Sequence, residues 1–98
     1  MRNSQAIYGI IERYDDDIKY EMSNMKAKEV TDGWLQTQAT ESACDVVLES
    51  CGGKELDSIT IEECEHLLLA AKEASFATII QPMLISLLKE RIEELEGR

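Results

Sequence analysis

The residue types in this chain best suited to chemistry are acidic. Asp15, Asp16 and Asp17 stand together, with Glu12 just upstream. Clustered carboxylates suggest a divalent cation, which needs converging oxygens. Adjacent helical side chains diverge by about 100°, so the three aspartates cannot close on one ion by themselves, although Glu12 and Asp16 share a face. The expectation is a solvated acidic surface. Cys51, Cys64 and His66 are zinc-type ligands, but no Cys-x-x-Cys occurs and residues two apart on a helix point different ways. Cys44 and Cys51 lie two turns apart on one helix, too far for a disulfide with each other. His66 is the sole histidine, and no nucleophile is marked beside it. Gly52-Gly53-Lys54 lacks the upstream glycine and the following Ser or Thr of a phosphate-binding loop. No metal or cofactor is expected.

Two further acidic pairs have a spacing of interest, Glu62-x-x-Glu65 and Glu90-x-x-Glu93. This arrangement resembles the two Glu-x-x-acid pairs with which all-α nucleotide pyrophosphatases of the MazG-like group hold magnesium. The resemblance implies magnesium-dependent release of pyrophosphate from nucleotides. It departs from the pattern at Glu93, where the family has Asp, and no Lys or Arg cluster accompanies it for phosphates. The chain is not assigned to that family.

The whole composition narrows the choice. Twenty acidic residues stand against ten basic ones, a net charge of −10. Direct binding of nucleic acid or of an anionic membrane rests on Lys and Arg, so both are disfavoured. Acidity favours solubility and steers association toward a basic partner. Three cysteines without a framework point to reduced thiols in a cytoplasmic setting. The first residues carry no signal-peptide core. Ninety-eight residues form a single helical domain, residues 1–98, that buries roughly two-thirds of its unfolded surface.

One proline, one phenylalanine and abundant helix formers predict an all-α fold, a small bundle of about four helices. The first helix is expected over about Ser4–Lys28, with Ile7, Ile11, Tyr14, Ile18, Met22 and Met25 on one face and Ile10 beside them. Thr31-Asp32-Gly33 signals a turn, with Thr31 or Asp32 as cap of a second helix over about Trp34–Ser50. Its inward stripe is small: Leu35, Ala39, Ala43, Val46 and Val47. The polar Thr37–Ser42 segment is weaker as helix, and Gly52-Gly53 stops it. Thr60 and Glu63 form a capping box, with Ile59 and Cys64 as its hydrophobic staple, for a third helix to about Ala74. Its inward residues are Ile61, Cys64, Leu67, Leu68 and Ala71. Pro82 predicts a break within Ser75–Gln81, and Thr78-x-x-Gln81 offers a cap for the last helix. A single kinked helix from Ile61 to Glu96 is the alternative.

Ala74 to Leu88 is a stretch of fifteen residues without a charge. It is shorter than the ~20 residues of a membrane span. The first turns of the last helix are apolar all round, which demands cover on every side. Ile85, Leu88, Ile92 and Leu95 also fit a short heptad seam. The expectation is a dimer or higher oligomer through this helix, with Leu84, Ile85, Leu88, Ile92, Leu95 and Trp34 as protein interface. Glu90, Glu93, Glu94 and Glu96 crowd the negative end of the helix dipole, where bases are favoured, and Arg91 and Arg98 offset only part of this. With Asp15, Asp16 and Asp17 they form the expected acidic surface.

Three readings of function follow. The first is a non-enzymatic helical interaction module that self-associates through its C-terminal helix and contacts another, unidentified protein. The second is a small acidic inhibitor filling a basic groove of a nucleic-acid-binding protein, by analogy of type with some phage and mobile-element inhibitors. The third is the magnesium-dependent pyrophosphatase.

Overall fold

A computed structural model describes residues 1–97. Arg98 lies outside the described residues. The four helices are α1 (Ser4–Ser23), α2 (Asp32–Ser50), α3 (Ile61–Glu73) and α4 (Ile80–Glu96), and among the described residues there is no strand. Short 3₁₀ turns, Ala27–Glu29 and Leu56–Ser58, lie in the two longer connections. The fold is all-α, a small helical bundle. The break before α4 is real, so the single kinked helix is not formed. No helix among the described residues is long and apolar enough to cross a membrane.

Local chemistry sets most boundaries. Asn3 caps α1 by accepting the Ala6 N–H at 2.8 Å. The helix ends at Ser23, five residues short of Lys28, because Ser23 and Asn24 turn their side chains back on the Tyr20 carbonyl. Such local bonds offer the backbone an alternative to further helix. Thr31 caps α2 at the Trp34 N–H, 3.1 Å away. The polar Thr37–Ser42 segment is helical throughout, and Thr37 and Thr40 donate to the carbonyls of Gly33 and Gln36. Gly52 and Gly53 have φ of 62° and 91°, a left-handed pair that lets the Gly53 N–H reach the Leu48 carbonyl at 2.8 Å. The capping box of α3 forms in both directions, at 3.2 and 3.0 Å, and its staple residues Ile59 and Cys64 are buried.

Around the bundle the order is α1, α2, α4, α3, each packed on its two neighbours, with α3 and α4 sharing the largest contact. The core is Ile7, Ile11 and Ile18 of α1, Ala43, Val46 and Val47 of α2, Cys64 and Leu67 of α3, and Ile80, Leu84 and Leu88 of α4. Burying each large aliphatic side chain contributes roughly 1.5–3 kcal/mol. Of the small α2 stripe, Ala39, Ala43, Val46 and Val47 are buried and Leu35 is half-buried. Met25 is only half-buried, because α1 has already ended there.

The first half of α4 is not dry all round. Pro82 and Ser86 form a wet face, and Ile80, Leu84 and Leu88 point inward. Leu84 and Leu88 are 0% exposed within a single copy. One chain therefore supplies the cover that the sequence seemed to demand from a second. Pro82 sits third in α4, in the first turn, where its missing N–H has no partner to lose.

Candidate functional site

Between the C-terminal half of α2, the Leu56–Ser58 turn and the outer side of α4 lies a groove of about 330 Å³. Its floor is apolar: Cys44 and Leu48 of α2, Leu56 of the turn and Leu87 of α4. Cys44 and Leu48 stand one helical turn apart and so share a face. The left-handed Gly52-Gly53 pair reverses the chain and returns Leu56 against α2. The rim is acidic. Glu55 and Asp57 flank Leu56 on one side, and Glu90 and Glu94, again one turn apart, line the other.

Arg91 also lines the groove, between the two walls. It is 7% exposed. Its Nη2 donates to the Ile59 carbonyl at 3.1 Å, and its Nη1 reaches Glu94 at 3.4 Å. Its Nε–H is buried and has no acceptor. The lining thus sets four carboxylates against one guanidinium that is already partly engaged, so the groove is acidic on balance. The Cys44 thiol is pushed up by burial and then by the charges of Asp45 and Glu55. A thiol so held is protonated and a poor nucleophile. Cys51 and Cys64 are likewise pushed up, chiefly by burial. His66 lies elsewhere, with Nε2 3.1 Å from the Arg2 carbonyl oxygen.

The structure separates the residues singled out in the sequence. Asp15 does not belong to an acidic surface. It is 0% exposed and accepts the Ile79 and Ile80 N–H groups at 2.9 and 2.8 Å, with Lys19 Nζ 3.0 Å from its other oxygen. Phase decides this: Asp15 falls on the same α1 face as Ile11 and Ile18. Asp16 and Asp17 are exposed, as are Glu90, Glu93 and Glu94. Glu90 and Glu94 reach the groove; Glu93 does not line it. Leu84 and Leu88, read as interface, are enclosed by their own molecule and present nothing to a partner. Ile85, Ile92, Leu95 and Trp34 are half-buried at the edge of the core. Glu62 and Glu65 are exposed on α3 and do not join Glu90 at the groove. Among the described residues no group of three or more His, Cys, Asp or Glu side chains is placed to hold a metal ion.

The floor of the groove was not foreseen. Leu48 and Leu87 gave no signal beyond helix periodicity, and Arg91 looked like an exposed counter-charge. The one available signal was Glu55-Leu56-Asp57, an apolar residue between two acids in a loop. No protein-family model, curated protein or solved structure matches the chain.

Proposed function

We propose that the protein is a non-enzymatic contact module that engages a basic partner protein through the acidic, apolar-floored groove beside α4. The observation that carries this reading is the pairing of an apolar floor with four rim carboxylates, in a chain of net charge −10. Complementary charge speeds encounter and selects partners, and the apolar floor supplies affinity. The inert thiol and the distant histidine support binding over nucleophilic chemistry. The acidic-inhibitor reading is a special case, in which the basic partner is a nucleic-acid-binding protein.

Titration with arginine-rich polypeptides at low and physiological salt tests the proposal. Affinity that falls steeply as salt rises is the expected result. Absent or salt-insensitive binding rejects it. Self-association through α4 remains the second reading, favoured by the half-exposed row of Ile85, Ile92 and Leu95. Light scattering at tens of micromolar distinguishes it, because a monomer at that concentration removes it and leaves the basic-partner reading intact.

A further inference from the structure

Two regions of the molecule carry opposite charge. Residues 18–28, the last turns of α1 and the start of its connection to α2, hold Lys19, Lys26 and Lys28 against Glu21 alone. No other stretch of this length is as basic. Lys26 and Lys28 are exposed and make no ion pair among the described residues. Tyr20 stands in the same stretch and is 71% exposed. A large aromatic side chain left in water is a candidate anchor for a partner. Phe76 is as exposed, but the charges of its neighbours Lys72 and Glu73 cancel.

The groove is the counterpart of that basic end. Its floor is apolar, and its rim carboxylates stand on two sides. At about 330 Å³ it takes one large side chain and is too small for a whole helix, about 10–12 Å across. Arg91, the one cation of the lining, opposes a lysine on the floor and suits an aromatic ring. Lysines are left to meet the rim. The chain does not fill its own groove. α1 lies diagonally across the bundle from α4, and Tyr20 points out of it. Lys26 and Lys28 lie before the N-terminal end of α2, whereas the groove begins at Cys44, more than three turns along that helix.

We infer that the groove takes the Tyr20 end of a second copy of this chain, in a head-to-tail contact. The Tyr20 ring enters between Leu48, Leu56 and Leu87, and Lys26 and Lys28 meet the rim carboxylates. Such a contact is heterologous, so assembly runs on into chains or closes as a ring. This rests on the contact-module reading above and names the chain's own basic end as the partner. It also places self-association away from the row of Ile85, Ile92 and Leu95.

Sedimentation equilibrium of the full chain at physiological salt is the test. Repulsion between two chains of net charge −10 is then screened beyond about 8 Å. The average mass is expected to rise with concentration up to about 1 mM. Tyr20→Ser removes the anchor, and Glu55→Lys with Glu90→Lys reverses one carboxylate on each wall. All three positions are exposed, so the fold is kept. Each variant alone should associate about tenfold more weakly or not at all. An equal mixture of the two should form a dimer and stop there, because one copy keeps its groove and the other its tyrosine. That rescue also shows both variants to be folded. A wild type that stays monomeric throughout, a Tyr20→Ser chain that assembles normally, or a mixture no better than its parts overturns the inference. Loss of assembly in Ile92→Ser alone overturns it in favour of α4. In each of these cases, arginine-rich polypeptides that still bind leave the function proposed above standing; if they fail too, both fall.

Discussion

Asp15 accepts the backbone N–H groups of both Ile79 and Ile80 through one carboxylate oxygen, so the fourth helix is capped by the first. α4 has no capping side chain of its own, and Thr78, which looked like its cap, is exposed. The buried carboxylate sits at the positive end of a helix dipole with a lysine beside it, which offsets its removal from water. Asp15→Ala leaves two N–H groups without acceptors and should cost about 3 kcal/mol. Asp15→Asn keeps an acceptor oxygen and should cost about 1 kcal/mol. Urea unfolding of both variants checks the order. Equal, small effects would mean that water can take over the cap.

Gln81 does the reciprocal job at the end of α3. Its amide donates to the Ala71 and Lys72 carbonyls at 3.0 and 3.3 Å, where the last carbonyls of a helix lack partners. Gln81→Ala should destabilise by about 1 kcal/mol. Combined with Asp15→Ala, the loss should depart from the sum of the two, since both residues hold the same joint. A strictly additive double variant in the same urea series would show that the two caps act separately.

Leu88→Asp separates folding from assembly. Leu88 is fully enclosed in its own chain, so an unpaired buried charge there should abolish the cooperative thermal transition. Ile92→Ser, at a half-buried edge position, should keep the fold with a loss of about 1–2 kcal/mol. Circular dichroism together with light scattering reads both. A well-folded Leu88→Asp monomer would contradict the packing described above.

Acid stability should depend on Glu49. Its carboxylate is held below the ordinary range by hydrogen bonds from Arg13 and then from Tyr14. A carboxylate with a lowered folded pKa contributes stability above its unfolded value, and loses it as pH falls through the folded one. Glu49→Gln mimics the protonated form. The melting temperatures of wild type and variant should differ most near neutrality and converge only in acid, as the pH falls through the lowered folded value of Glu49. A gap that stays constant with pH would remove the charge from the account.

Thiol labelling should be slow and ordered. Burial pushes all three thiols up, so little thiolate exists in the native state. Cys44 alone is partly exposed and should react first, with Cys51 and Cys64 labelled only at the rate of unfolding. A basic peptide seated in the groove should protect Cys44. Mass spectrometry of timed labelling would show the order, and early modification of Cys64 would contradict the burial of the α3 face.

The sequence revealed what is local. The Thr31 cap, the Thr60–Glu63 box with its staple and the Gly52-Gly53 stop each involve residues within a few positions, and each formed as expected. Apolar spacing gave four helices and most of their inner faces. It carried α1 too far because Met22 and Met25 continue the period past Ser23 and Asn24, whose side chains end it. Contacts across the bundle were not legible. Asp15 and Gln81 were both noticed, one as surface acid and the other as part of a local cap, yet each serves a helix other than its own. The groove shares this property, because its floor joins three segments that no sequence spacing relates.

The buried guanidinium of Arg91 fastens α4 to the strand of chain just before α3 through the Ile59 carbonyl. The two walls beside it are thereby set before any guest arrives. A groove tied in this way has less of its own structure to order on association, which leaves most of the ordering cost with whatever it binds. Under the basic-partner reading proposed above, binders pre-shaped by cyclisation should outperform flexible ones of the same composition, chiefly through slower departure.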